Sequence, residues 1–179
     1  HMVERSTGLQ IRCAQSHPED IAPDTYLRAG QIPFGYGYVA YKTRLIQNSL
    51  TSSALMHLFR TSSPLPDNYG FAVDERCVEY PWVLARLSPG PATVLDAGST
   101  LNFPMFIDLV RQQSWKMHVL TLGPEANCFW HEGWSYTFDD LCRMPYRENH
   151  FDTVICISTL EHVGLDNRMY AGELYAPPV

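Results

Sequence analysis

Between Tyr38 and about Arg60 the chain has no Gly or Pro, and its apolar residues recur at helical intervals. Val39, Leu45, Ile46, Leu50, Leu55, Met56, Leu58 and Phe59 carry this pattern. It predicts one helix, or two broken near Thr51-Ser52-Ser53. The stretch from Thr61 to Asn68, with Pro64 and Pro66 among its polar residues, ends it. A further helix is expected from near Asp74, which would cap it, to about Leu87. Val78, Trp82, Val83 and Leu87 would form its apolar face. Pro81 then stands in a first turn or at a kink, and Ser88-Pro89-Gly90-Pro91 stops the helix. Residues 3 to about 35 are rich in turn formers and read as an irregular arm with at most one short helix.

After residue 91 the pattern changes to short apolar runs alternating with helical segments. Strands are expected at Thr93–Ala97, Met117–Leu122, Ser135–Phe138 and Phe151–Ser158, the last with the core Val154-Ile155-Cys156-Ile157. Helices are expected at Phe103–Trp115, with Phe106, Leu109 and Val110 inward, and at Leu165–Leu174. Strands alternating with helices imply a parallel sheet with crossover connections. The fold class expected is therefore α/β, a Rossmann-like parallel sheet with flanking helices. Residues 3–90 form a helical N-terminal region packing on it, and residues 91–179 form the sheet domain.

Composition narrows the functional classes. A chain of 179 residues with 45% apolar residues can bury a core. Its net charge of −6, without any Lys/Arg run, argues against a nucleic-acid partner. No apolar run approaches the roughly 20 residues that span a bilayer, so no membrane partner is expected. The leading His1-Met2 reads as the remnant of an expression tag. Cys13, Cys77, Cys128, Cys142 and Cys156 are scattered and odd in number. They are expected to be reduced thiols of a cytoplasmic protein, with no metal site.

Candidate chemistry begins at the turn after the first strand, Asp96-Ala97-Gly98-Ser99-Thr100. A parallel sheet binds nucleotide-like ligands at the carboxyl ends of its strands. Gly98 lets backbone approach such a ligand closely. The run Gly98-Ser99-Thr100-Leu101-Asn102-Phe103 lacks the later glycines of a dinucleotide cradle, which argues against NAD or FAD. Read alone, the turn is also compatible with an ordinary strand-to-helix connection.

Four segments in order resemble the class I S-adenosylmethionine-dependent methyltransferases. Val94-Leu95-Asp96-Ala97-Gly98-Ser99-Thr100 resembles their first motif, with Thr100 where the second glycine stands. The resemblance implies that Asp96 organises the loop and the amino-acid end of S-adenosylmethionine, and that Gly98, Ser99 and Thr100 contact the cofactor. Val119-Leu120-Thr121-Leu122 resembles the second strand, with Thr121 in place of the acid that holds the ribose hydroxyls. Glu125 is a possible substitute, or an exposed charge. Asp139-Asp140-Leu141-Cys142-Arg143-Met144-Pro145-Tyr146, followed by Phe151-Asp152, resembles the adenine-binding passage. It implies that Asp140 accepts from the adenine amino group and that the Leu141 N–H reaches a ring nitrogen. A solvated turn is the alternative.

Ser158-Thr159-Leu160-Glu161-His162-Val163 resembles the exit loop of the fourth strand. It implies a lining role for Ser158 and makes Glu161 and His162 the acid/base candidates, although His162 is structural in many such enzymes. The run from Ser158 to Asn167 is similar to bacterial methyltransferases of surface-polysaccharide or sugar pathways. Two other features stay open. Phe129, Trp130, His131, Trp134 and Tyr136 stack on a ligand or form local core. Arg76 and Glu79 contact the cofactor or pair at the surface.

The family sheet has seven strands, and four are countable here. An incomplete sheet leaves the apolar fourth strand with an open edge, so a cover is expected: the N-terminal region, a second copy in a homodimer, or residues beyond this chain. The function expected is methyl transfer from S-adenosylmethionine to a small-molecule or sugar acceptor, with S-adenosylhomocysteine as product. The alternative is a noncatalytic binding or assembly module.

Overall fold

The computed structural model describes residue 22 and residues 24–165. The helix expected over Leu165–Leu174 and nearly all of the arm before residue 22 lie outside the described residues. The helical part comprises α1 (Asp24–Arg28), α2 (Tyr38–Thr51), α3 (Ser53–Thr61) and α4 (Arg76–Leu84). The sheet part comprises β1 (Ala92–Ala97), α5 (Ile107–Gln113), β2 (Trp115–Thr121), β3 (Ser135–Phe138) and β4 (Thr153–Ile155). No helix among the described residues is long and apolar enough to cross a membrane.

The break expected near Thr51-Ser52-Ser53 separates α2 from α3. Ser52 is extended, and its hydroxyl accepts from the Leu55 N–H, capping α3. Asp74 holds the start of α4 from two residues ahead. One carboxylate oxygen accepts from the Arg76 N–H at 3.2 Å. The other accepts from the Tyr38 hydroxyl at 2.8 Å and the Lys42 ammonium at 2.6 Å, tying α4 to α2.

The buried face of α4 differs in part from the expected one. Val83 and Leu87 pack against the core as expected, but the buried residues are Cys77, Tyr80, Pro81 and Leu84, and Val78 and Trp82 are exposed. The difference comes from Trp82, whose ring is covered by the Arg86 guanidinium at 3.9 Å. Capped in this way a large ring can stay outside, and the heptad turns toward Tyr80. Pro81 is inside the helix and buried.

The four strands are all parallel, in the order β3-β2-β1-β4, so the sheet is α/β and Rossmann-like. The chain steps outward from β1 to β2 to β3, then returns to the far side of β1 to form β4. Crossovers of parallel strands are right-handed. Reversing the direction of travel therefore puts the return on the opposite face. The helices cover one face, where Ile46, Cys77, Tyr80 and Leu84 share a core with Val94, Phe106, Met117, Val119 and Ile155. The β3–β4 connection covers the other, where Leu141, Tyr146 and Phe151 pack on Leu95, Ala97 and Leu120.

β4 is shorter than the expected Phe151–Ser158. Its last partner is Asp96, opposite Ile155, and β1 turns away just beyond, at Gly98. Without a neighbour to pair with, Cys156 and Ile157 run on outside the ladder. β4 has β1 on one side and no strand on the other among the described residues, and Val154 is 59% exposed.

The inward face of α4 is tested by truncation. Leu84→Ala should cost about 2–5 kcal/mol of stability, as buried leucines do. Val78→Ala should cost under about 1 kcal/mol, because more than a third of the residue is already in solvent. Urea unfolding of the two variants decides it; equal losses would mean that the face is assigned wrongly.

Candidate functional site

Between β1 and β4 the direction of strand addition reverses. The loops leaving the two strands diverge there and open a crevice at their carboxyl ends, as parallel sheets do at such a point. The cleft has a volume of about 450 Å3. Its walls come from the β1 exit loop, the end of β2, the segment after β3, the β4 exit loop and helix α4.

Asp96 builds the first wall without being part of it. It ends β1 fully buried, and its two carboxylate oxygens take the Thr100 N–H at 3.0 Å and the Leu101 N–H at 2.7 Å. These bonds fold the loop back over the strand end. Burial pushes the carboxyl up to about 7, outweighing the two N–H bonds that favour its charged form, with Glu125 adding to the rise. The loop is then locked to β4 by the Thr100 hydroxyl, which donates to the Ile157 carbonyl at 3.2 Å. Both donors of Thr100 are thus used within the protein, and what it offers the cleft is surface.

Gly98 is required on two counts. Its φ is +109°, and an added Cβ would fall 2.8 Å from the Cβ of Thr159 and closer still to its hydroxyl. Ser99 follows in the left-handed region with φ 60°, and its Oγ is buried with no hydrogen-bond partner among the described residues.

The remaining expected residues reach the same cleft. Gly98, Ser99 and Thr100 line it together with Thr121, Asp140, Leu141, Ser158, Glu161 and His162. Asp140 opens a short turn: one oxygen accepts from the Cys142 N–H at 2.8 Å, and the Cys142 thiol also bonds to the carboxylate. Leu141 is the first residue of that turn, where an N–H has no partner within the turn. A carboxylate, which has several acceptor sites, and an N–H donor therefore stand side by side on the cleft wall. Ser158 has φ 48° and donates to Glu79 at 3.0 Å.

The features left open by the sequence divide. Arg76 and Glu79 belong to the site. Arg76 lines the cleft and pairs with Glu79 at 2.5 Å, while Glu79 also holds Ser158. The aromatic cluster does not belong to it. Phe129 and Trp134 are buried in the core, and none of the five residues lines the cleft. Tyr136 takes the Phe129 N–H and donates to Asn102 at 2.8 Å. Glu125 is likewise turned away, accepting from Asn102 at 3.3 Å.

Three lining residues were missed from sequence: Glu75, Tyr80 and Phe103. Tyr80 and Phe103 fit the helical periodicity of core residues, which hides them. Only the position of α4 over the loop brings them in. Tyr80 is 4% exposed and its hydroxyl has no hydrogen bond among the described residues. Burial raises its pKa far above the ordinary tyrosine value, so it stays neutral.

No group of three or more His, Cys, Asp or Glu among the described residues could hold a metal ion. Cys77, Cys128, Cys142 and Cys156 are free thiols. Comparisons with protein-family models, curated proteins and solved structures found no match.

The burial of Asp96 predicts a pH dependence. Its folded pKa of about 7 lies above the ordinary 3.8. Between these values the folded state holds a proton that the unfolded state has lost, so stability falls as pH rises through the folded value. From pH 5 to pH 8 the contribution of Asp96 should fall by about 2–3 kcal/mol. Asp96→Asn should lower stability overall but remove that slope. Urea unfolding at the two pH values checks this, and an unchanged slope in the variant would contradict it.

Proposed function

We propose that the chain is an S-adenosylmethionine-dependent methyltransferase, with S-adenosylhomocysteine as the product form of its cofactor, acting on a small-molecule or sugar acceptor. The observation that carries the reading is one of convergence. Segments resembling that family are far apart in the chain, yet the residues they nominate line one cleft, apart from Asp96 and the alternative acid Glu125. Asp96 lies directly beneath it, holding the loop.

The chemistry of the lining fits the cofactor. The carboxylate of Asp140 and the adjacent Leu141 N–H match an exocyclic amine beside a ring nitrogen, the edge that adenine presents. Gly98 and Ser99 bring backbone to the ligand without side-chain obstruction. Thr121 offers a single hydroxyl to a ribose. A volume of about 450 Å3 is in the range of nucleoside-sized sites. Bound there, the cofactor would supply an electrophilic methyl group on a sulfonium. The protein's own task is then to hold an acceptor in line and to accommodate its proton. Glu161 and His162, on the turn after β4, are placed at the cleft to do so.

Thr121 favours a second reading, a module that binds the cofactor without transferring its methyl group. One hydroxyl replaces the two hydrogen bonds that a carboxylate makes to a ribose. The two readings share the cleft and differ in turnover.

Calorimetric titration with S-adenosylhomocysteine tests the shared part. Binding in the micromolar to submillimolar range is expected, with Asp140→Ala weakening it by roughly tenfold through loss of a charge-assisted bond. Asp108→Ala, an exposed change on α5 away from the cleft, should leave it unchanged. Absence of heat and of any thermal shift at millimolar ligand would exclude both readings.

A further inference from the structure

The formal charge around the cleft is one-sided. Among the described residues, Glu75, Asp139, Asp140 and Glu161 line it, against Arg76 and the imidazole of His162. Arg76 is already engaged. Its guanidinium pairs with Glu79 at 2.5 Å and lies 5.9 Å from the centre of the Tyr80 ring. Glu75 and Glu161 have no ion pair among the described residues. Asp139 has only Arg143 at 3.6 Å, and that side chain is 76% exposed, so solvent screens the pair.

Two neutral groups point the same way. Phe103 presents an aromatic ring that is 44% exposed at the cleft, and aromatic faces attract cations. Tyr80 is almost entirely buried, yet its hydroxyl is unbonded in the lining. As a neutral phenol, its oxygen still offers lone pairs. A cleft of about 450 Å3 is on the order of 10 Å across, close to one Debye length in ordinary buffer. A unit charge inside therefore lies within about one Debye length of all of these carboxylates, close enough for their field to reach it at low salt.

We infer that the cleft selects an organic cation, and that among nucleosides carrying the same adenosine and amino-acid ends it prefers the sulfonium to the neutral thioether. The inference rests on the function proposed above and adds a direction to it. The methyl-charged form, with its extra positive charge, is drawn in. The demethylated form has lost that charge and is held less tightly. Release of the spent nucleoside is thereby favoured by the lining itself, without a moving lid.

The test compares S-adenosylmethionine with S-adenosylhomocysteine by calorimetry, in the intact chain and without acceptor, at low and high salt. The sulfonium should bind more tightly by on the order of tenfold at about 50 mM salt, with the ratio shrinking several-fold near 500 mM. The double variant Glu75→Gln, Asp139→Asn keeps the size of both side chains and one acceptor oxygen on each. It should narrow the ratio at low salt, because the sulfonium loses more affinity than the thioether. The narrowed ratio separates a field effect from a damaged fold, which would weaken both ligands alike. Equal affinities, tighter thioether binding, or a ratio insensitive to salt would overturn the inference while leaving the proposed function standing. If neither nucleoside binds, the proposed function fails and the preference fails with it.

Discussion

The cleft depends on one buried carboxylate. Asp96 is placed at the end of a central strand, where no water reaches it, and is bonded to two backbone N–H groups of its own exit loop. Desolvating a carboxylate is costly, and it persists here because the loop cannot close without it. Once the loop is closed, Leu101 is driven into the core and Thr100 is brought within reach of β4. Gly98 then meets Thr159 with no room for a side chain. The relative position of the two loops that form the cleft follows from these contacts.

The rest of the site is supplied from outside the sheet. Helix α4 is anchored by Asp74 to α2 and packs Tyr80 against Phe106, ring to ring at 5.1 Å. That docking carries Arg76 and Tyr80 to the cleft and lets Glu79 receive the Ser158 hydroxyl from the β4 exit loop. The helical region is therefore part of the cleft wall. The two faces of the sheet are unequal as a result. One is buried under helices, while the other carries an aromatic cover in which Tyr146 and His150 stack and both approach His118. Burial and the neighbouring His150 hold His118 below the usual imidazole value.

Much of this was legible in the sequence where signals are local. The strand positions followed from apolar runs, and the helix break at Ser52 from its run of hydroxyl residues. The loop residues Gly98 to Thr100 followed from the demands of a tight turn at a strand end. Long-range packing was not legible. The inward face of α4 is decided by Arg86 shielding Trp82 and by Tyr80 finding Phe106, neither of which periodicity encodes. The length of β4 is set by where its partner β1 turns away. Tyr80 and Phe103 stayed unassigned because apolar spacing cannot distinguish a core wall from the wall of a cleft. For the same reason the aromatic cluster stayed open between ligand stacking and local core, and Phe129 and Trp134 are core.

On the proposed function, the cleft organised by Asp96 holds S-adenosylmethionine in one fixed orientation. A crystal structure of the chain with S-adenosylhomocysteine is the decisive measurement. The adenine edge should lie on Asp140 and the Leu141 N–H, the ribose at Thr121, and the sulfur should face the turn that carries Glu161 and His162. A nucleoside bound away from the β1 and β4 exit loops, or lodged in the cleft with its adenine remote from Asp140, would contradict it.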